Sequence, residues 1–343
     1  MTFQITVEPS GRQFTAEASE TLLAAGIRQG IALPYGCKDG ACGSCKCKRL
    51  SGSVTHGPHQ AKALSEEEEA AGYMLTCCGT AHSDVVIESR QVAQAGAFVI
   101  KKMPARVSSL ERVSNDVMVM RLQLPAADTF QYHAGQYVEF LLRDGDRRSY
   151  SIANAPHTQS EAPQIELHLR HMPGGKFTDH VFGAMKEKEI LRIEGPYGGF
   201  FLREESDKPI VMLASGTGFA PVKAMLQHMQ FKGITRPVTL YWGGRRPSDL
   251  YQHEWLMNMA AAMPQLRYVP VVSDAQAEDA WTGRTGFVHQ AVLQDLPDLS
   301  AHEVYACGAP IVVDSARRDF VAQAGLPEEA FFADAFTSEA DKL

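Results

Sequence analysis

The 343-residue chain sets 33 Lys and Arg against 40 Asp and Glu, a net charge of -7, and is 45% hydrophobic. That length asks for two or three domains, and a negative balance without a Lys/Arg cluster argues against a nucleic-acid surface. No apolar run approaches the roughly 18 residues of a spanning helix, and MTFQITVEPSGRQF lacks a secretory signal's basic and apolar blocks, so a cytoplasmic protein with few structural disulfides is expected.

In chain order, TFQITVEP alternates like a half-buried strand, and RQFTAEAS reads as its hairpin partner across Ser10-Gly11. TLLAAGIRQGI has apolar residues at helical spacing. PYGCKDGACGSCKCKRL follows, with four of the seven cysteines. In SEEEE, Ser65 is expected to cap a helix and Glu68 to return the bond. DVVIES closes the segment as a strand, and RQVAQAGAFVIKK reads as a linker. The expected divisions are 1–92, a linker at 93–102, 103–203 and 204–343.

Cys37, Cys42 and Cys45 stand as C-x4-C-x2-C, with Cys77 downstream in YMLTCCG. This is the plant-type 2Fe–2S spacing. Three thiolates from one loop must converge on a small anionic cluster. Gly36, Gly40 and Gly43 permit the tight curl and let amides approach the sulfurs. A zinc site more often shows two separated C-x2-C or C/H pairs. Cys37, Cys42, Cys45 and Cys77 are therefore the expected metal ligands. Cys47 and Cys78 read as buried or half-buried small apolar residues, with Cys78 pointing away from Cys77 on an extended chain.

From Met103 to Leu202 short strands dominate: ARVSSLERVS, DVMVMRLQLP, QYVEFLL, RSYSIAN, IELHLRH and ILRIEGPYG. Their spacing predicts an antiparallel barrel. Within it, period-2 alternation puts Arg148 and Tyr150 on one face and Ser151 on the other. A cation and a ring on one face suit a flavin nucleotide, although R-x-Y is common on strands. HMPGGKFTDHVF then gives a Gly-Gly turn and a helix start, an anion seat to which Thr178 adds a hydroxyl, or else an ordinary turn.

Next, apolar strands PIVMLAS, PVTLYWG, LRYVPVVS and EVYACG alternate with helical stretches such as APVKAMLQHMQ, the signature of a parallel α/β sheet. VMLASGTGFAPVKAM is strand, glycine turn and helix, with Pro221 where the third glycine of G-x-G-x-x-G would stand. VYACGAP puts Cys307 and Gly308 at a strand's C-terminal end, where open α/β sheets hold ligands. Cys307 reads as an active-site residue, with core filling as the rival.

CKDGACGSC…C, RSYS, GGKFT, GTGFAP and YACGAP in this order resemble the ferredoxin–NAD(P)H reductase superfamily, and within it the three-domain ferredoxin–FAD–NAD reductases that feed oxygenases. GPHQAKALSEEEEAAGYMLTC, YWGGRRPSDLY and FFADAFTSEAD are similar to CDP-6-deoxy-Δ3,4-glucoseen reductases. The resemblance implies a β-grasp plant-type ferredoxin, an antiparallel β-barrel FAD domain and an α/β parallel-sheet nucleotide domain. It implies that Arg148 contacts FAD pyrophosphate, Tyr150 stacks on the isoalloxazine, Ser151 lies near flavin N5, and Ser149 belongs to the same segment. Gly174, Gly175, Lys176 and Thr178 match the second pyrophosphate segment. Gly216, Thr217 and Gly218 match the nicotinamide-nucleotide turn, and Cys307 with Gly308 the pair beside the nicotinamide. Phe336 is the candidate for a C-terminal aromatic over the flavin.

The implied activity carries electrons from NAD(P)H through FAD and a 2Fe–2S cluster to a separate enzyme. No carboxylate ends TLYWGG to hold a ribose hydroxyl, and Arg245 and Arg246 could meet a 2′-phosphate. Against this, Arg245 matches a position also basic in NADH-using relatives and Asp249 could bind ribose, so NADH is expected. The chain lacks Rieske C-x-H and C-x2-H motifs and paired E-x-x-H helices. Oxidation or deoxygenation then falls to a partner: a Rieske dioxygenase, a di-iron monooxygenase or a pyridoxamine-dependent sugar dehydrase. The rivals are a stand-alone flavin reductase or oxidase whose cluster is no electron outlet, and a zinc-held interaction module.

Overall fold

A computed structural model describes residues 1–92, 98–126, 129–158 and 163–337. The first half of the expected linker (93–97) and the end of FFADAFTSEAD lie outside the described residues. The chain divides into two compact units, Met1–Phe98 with Gly198–Phe200 and Ala333–Leu343, and Val99–Tyr197 with Phe201–Phe332.

The first unit holds β1 (Thr2–Glu8), β2 (Arg12–Glu17), α1 (Leu22–Arg28), β3 (Lys46–Ser51), β4 (Val54–His56), α2 (Glu66–Ala70), β5 (Tyr73–Leu75), β6 (Gly79–Ala81) and β7 (Val85–Glu88). Its main sheet runs β2-β1-β7-β3-β5, with β1 antiparallel to β2 and parallel to β7. The alternation in β1 turns Ile5 and Val7 into the core, where Phe14, Leu22 and Ile87 join them. Thr21 caps α1 by accepting from the Ala24 amide. Ser65 and Glu68 form the expected capping box on α2, and Glu68 also accepts from Lys46 Nζ at 2.5 Å. Between α1 and β3 the chain has no regular element, and there the cysteine loop curls.

The second unit begins with β8 (Lys101–Arg112), β9 (Val117–Gln123), β10 (Tyr137–Leu141), β11 (Arg147–Ser151), β12 (Gln164–Arg170), α3 (Lys176–Gly183) and β13 (Ile190–Tyr197). Strand β8 therefore takes up residues 101–102 of the expected linker. The sheet order is β11-β10-β13-β8-β9-β12, antiparallel throughout. An antiparallel bridge between Ile152 and Leu167 joins its two ends, closing a barrel around Val107, Met120, Phe140, Leu167 and Ile193.

The rest of this unit is β14 (Ile210–Ser215), α4 (Phe219–Lys232), β15 (Val238–Gly244), α5 (His253–Ala262), β16 (Leu266–Val272), β17 (Arg284–Thr285), α6 (Val288–Asp295), β18 (Glu303–Gly308), α7 (Pro310–Ala324) and the first two residues of β19 (Phe331–Ala335), whose residues from Ala333 on are counted with the first unit. The order is β17-β16-β15-β14-β18-β19, with β14 parallel to both β15 and β18. Both faces of β14 and β18 are buried, which is why they read as continuous apolar runs. The chain leaves β14 toward β15 and returns to its other side as β18. Their C-terminal ends form the crevice in which open α/β sheets bind ligands.

Candidate functional site

The cysteine loop gathers the four predicted ligands in two pairs. The Cys37 amide points at Cys42 Sγ at 3.4 Å, and the Cys42 amide at Cys37 Sγ at 3.3 Å. Their two thiols are hydrogen-bonded, as are those of Cys45 and Cys77. The bond from Cys37 holds the Cys42 thiol down at about 6. Gly40 makes the curl possible: its φ is +76°, and a β-carbon there would stand 2.8 Å from that of His59. Among the described residues no three His, Cys, Asp or Glu side chains converge on one metal-sized point. Two pairs of sulfurs suit a two-iron cluster with two thiolates on each iron, and the amides aimed at sulfur are the donors such a cluster needs. The residues present fit the group.

Cys47 is buried on β3, and burial pushes its thiol up, as expected of a packing residue. Cys78 departs from expectation. It does not point away from Cys77, because Thr76–Cys78 is a turn and not extended chain. The two thiols hydrogen-bond, and Cys78 lines a small surface hollow with Lys38, His56 and Pro58.

On β11, Arg148 and Tyr150 share the half-buried face while Arg147 and Ser149 are exposed and Ser151 is buried. The Tyr150 ring rests against Phe140 and Phe177, both 5.7 Å between centroids, and Phe177 in turn packs on Phe140 at 4.6 Å. Phe177 thus seats the first turn of α3 against β10 and β11. It brings Lys176 to Asp144 (2.8 Å) and Asp146 (3.4 Å), and Arg148 donates to the same Asp146 at 3.3 Å. Two cations from separate elements converge beside the α3 N-terminus, with Gly174 at φ +84° and Gly175 as the cap. Free first-turn amides and paired cations are what a pyrophosphate needs. Thr178 is the predicted residue whose hydroxyl has partners within its own turn. Its hydroxyl donates to the Met172 carbonyl at 2.9 Å and accepts from the Met172 amide at 3.2 Å, so it braces the turn from inside.

The glycine turn and the Cys307-Gly308 pair meet at the β14–β18 crevice. Gly216 has φ +53°, and Trp242 Nε1 donates to its carbonyl at 3.0 Å. Ser215 Oγ accepts from the Ala309 amide at 2.9 Å, tying the two strand ends together. Cys307 has no exposed surface. Beyond β15, Asp249 accepts from the amides of Arg245 and Arg246 at 2.8 and 3.2 Å. Arg246 is held by Asp279 at 2.7 and 2.8 Å and by Glu278 at 3.1 Å, while Arg245 is largely exposed. Next to them a cleft of about 610 Å³ is lined by Ser114, Pro247, Ser248, Tyr251 and Trp255. Phe336 follows β19 as a half-buried residue of the other compact unit.

Three family profiles match in succession: "2Fe-2S iron-sulfur cluster binding domain" over residues 5–82, "Oxidoreductase FAD-binding domain" over 104–202 and "Oxidoreductase NAD-binding domain" over 212–318. The chain is 43% identical over 339 residues to the CDP-6-deoxy-L-threo-D-glycero-4-hexulose-3-dehydrase reductase of Yersinia pseudotuberculosis, covering 98% of this chain and 99% of that protein. It belongs to the three-domain iron–sulfur flavoprotein reductases. The reductase is also 34% identical over 340 residues to reductase component 1 of a Comamonas terephthalate 1,2-dioxygenase, covering 98% of each. Among solved structures, the Amycolatopsis cytochrome P450 reductase GcoB superposes with a TM-score of 0.77 at 32% identity, covering 98% of this chain and 99% of that one.

The reductase is thus an NAD(P)H-dependent oxidoreductase with 2Fe–2S, FAD and NAD domains that passes electrons to a separate enzyme. Among the described residues no helix is long and apolar enough to cross a membrane. Sequence reasoning missed Asp144 and Asp146, which hold Arg148 and Lys176, and Glu278 and Asp279, which hold Arg246. The only signal for the first pair was their place beside Arg148 in RDGDRRS; the second stands 32 and 33 residues from its partner.

Proposed function

We propose that this reductase takes its electrons from NADH and not NADPH, and the occupied guanidinium of Arg246 carries that reading. A 2′-phosphate needs a cation whose charge is not outweighed by its carboxylate partners: Arg148 and Lys176 set two cations against Asp144 and Asp146, whereas Arg246 stands alone against two carboxylates. Asp249, in the turn that follows β15, sets a third carboxylate there, where it would repel a phosphate and accept from a ribose hydroxyl. Bound FAD and the 2Fe–2S cluster supply the conversion of a two-electron hydride into single electrons.

The chain's own residues bind and orient. Arg148 and Lys176 neutralise pyrophosphate, the Tyr150 ring offers a stacking surface, and Ser149, Ser151, Gly174 and Gly175 shape the flavin seat. Gly216, Thr217 and Gly218 present amides to the nicotinamide nucleotide, with Cys307 and Gly308 as the adjoining wall. Cys37, Cys42, Cys45 and Cys77 hold the cluster. A cytoplasmic setting agrees with all seven cysteines being free of disulfides.

The 43% identity to the Yersinia dehydrase reductase, against 34% to the dioxygenase component, supports a sugar-dehydrase-type acceptor over an oxygenase. The test is an anaerobic absorbance titration with each coenzyme, followed by assay with dehydrase and with dioxygenase acceptors. Bleaching of flavin and cluster bands at higher kcat/KM with NADH, and turnover with the dehydrase, are expected. A clear NADPH preference overturns the coenzyme reading. A cluster that stays oxidised while the flavin bleaches returns the protein to the stand-alone flavin reductases.

A further inference from the structure

Helix α4 starts on the glycine turn and carries Phe219, Lys223, Gln227 and Phe231 four residues apart, one stripe along its length. Every member of that stripe meets the flavin-binding barrel. Phe219 lies 6.4 Å from the His168 ring, Gln227 Oε1 accepts from the Ala155 amide at 3.0 Å, and Phe231 stacks on His157 at 4.0 Å. Lys223, itself buried, makes a short ion pair with Glu166 on β12.

Glu166 is the hub. Its other carboxylate oxygen accepts from Arg121 Nε at 3.0 Å, and His168 Nε2 stands 3.1 Å from the oxygen shared with Lys223. Burial pushes the Glu166 carboxyl up, but His168 and Lys223 outweigh it and hold it well below the usual carboxylate range. An ionised carboxylate only accepts, so His168 carries its proton on Nε2 and its Nδ1 accepts from the Tyr251 hydroxyl at 2.8 Å. Tyr251 and Trp255 belong to the nucleotide side, and the Lys223 ammonium lies 5.3 Å from the Trp255 ring. On the flavin side, the Glu166 carbonyl accepts from the Ala153 amide at 2.7 Å and the Glu166 amide donates to Asn154 Oδ1 at 2.8 Å. These are the residues that continue β11 just past Ser151.

One residue is therefore bonded through its backbone to the flavin strand and through its side chain to the helix that begins on the nicotinamide turn. We propose that Glu166 is a positioning residue for hydride transfer, fixing through Lys223 and the His168–Tyr251 relay the separation between the flavin seat and the nicotinamide seat. Neither Glu166 nor Lys223 needs to touch a cofactor for this. The energetic argument is leverage: displacing reacting atoms by about 1 Å lowers rates by up to roughly 100-fold without weakening binding. The inference rests on the reading that NADH reduces flavin bound at Arg148 and Tyr150, which the wild-type protein tests by itself.

The experiment is anaerobic rapid mixing of the FAD- and iron-loaded protein with NADH, separating the flavin-reduction rate constant at saturation from the NADH dissociation constant. Glu166→Gln and Lys223→Met are each expected to lower the rate constant about tenfold or more, with a weaker long-wavelength band from the nicotinamide–flavin contact and NADH affinity within about threefold of wild type. The double variant falls little further, because both act on one link. Lys223→Arg, which keeps the charge, recovers most of the rate. Reduction at the wild-type rate in a Glu166→Gln protein with full FAD and iron overturns the proposal. So does a loss confined to NADH affinity, or to FAD content. Should Glu166→Gln fail to fold, the Lys223→Met and Lys223→Arg pair decides, and equal rates in the two overturn it. A wild-type flavin that NADH does not reduce rejects the underlying reading instead.

Discussion

Gly218 and Cys307 interlock across the ends of β14 and β18. A β-carbon on Gly218 would stand 2.2 Å from the Cys307 carbonyl oxygen and 2.5 Å from its carbonyl carbon. The register sets this approach, since Ala214 pairs with Cys307 and the two strands end level. Gly308 completes the lock from the other side: at φ +129°, its β-carbon would lie 2.2 Å from Ser215 Oγ. The glycine turn proposed to offer amides to a nucleotide is thus shaped by the neighbouring strand's backbone, which cannot retreat.

Alanine substitutions separate close approach from conformation. Gly218→Ala must push backbone aside and is expected to cost about 1–3 kcal/mol, with a large loss of NADH-driven flavin reduction. Gly216→Ala meets nothing nearer than Arg170 Nη1 at 3.8 Å and bears only the left-handed φ, a cost of about 1–2 kcal/mol. Thermal melts with NADH titration check this. An equal loss of NADH-driven flavin reduction in both would mean that the Cys307 contact does not shape the turn.

For the cluster, serine at Cys37, Cys42, Cys45 or Cys77 is expected to remove most bound iron and sulfide, while serine at Cys78 and alanine at Cys47 leave both near wild type. Iron and sulfide assays on purified protein read this directly. Loss in Cys78→Ser with retention in Cys77→Ser would exchange the two assignments, and the comparison is informative because their thiols share a hydrogen bond.

What the sequence made legible was local. The C-x4-C-x2-C loop, the Ser65 capping box and the glycine turn after β14 are set by residues within one turn or loop of each other; the capping box forms as read, and the glycine turn lies between strand and helix as read. Strands β3 to β6 escaped notice because most have three residues, too few for a period, and pair with distant partners. The Thr178 hydroxyl turned inward because Met172 offered both a donor and an acceptor, a choice that residue type does not reveal. Lys223 read as one more residue of a helical stretch. Only the folded chain sets it against Glu166, 57 residues away.

Coenzyme choice follows the same distant pairing. The double change Glu278→Gln with Asp279→Asn frees the Arg246 guanidinium, and the kcat/KM ratio of NADPH to NADH is expected to rise about tenfold, the worth of one charge-assisted contact of about 1.5–3 kcal/mol less residual Asp249 repulsion. An unchanged ratio would show that Arg246 does not face the 2′ position.

Neighbouring arginines on β11 are expected to fail differently. Arg148→Ala removes a cation from the pyrophosphate seat and weakens FAD retention roughly tenfold or more. Arg147→Ala leaves the buried Glu139 without its 2.7 Å partner and Glu194 without its 2.6 Å one. That costs about 1–3 kcal/mol of barrel stability while FAD binding per folded molecule holds. Ultrafiltration of bound FAD and urea melts distinguish the two. FAD loss in Arg147→Ala without destabilisation would reverse the roles.

Acid should unfold the second unit in two stages. Burial holds His168 below its ordinary value of 6.5, so the unfolded chain takes up a proton that the folded chain refuses, and stability falls as pH drops through that value. Glu166, held well below its ordinary 4.5, stays ionised when folded. Its contribution is complete above that value and is lost as pH falls below it. Melting midpoints of FAD- and iron-loaded protein are therefore expected to be flat near pH 8, to decline below about 6.5 and to steepen below about 4.5. In Glu166→Gln the first decline remains, because burial of His168 causes it, while the steepening lessens without vanishing, since Asp279, Asp295 and Asp319 are also held below the ordinary carboxylate value by their cationic partners. An acid limb of identical shape in the two proteins would show that Glu166 carries no ionised-state advantage in the fold.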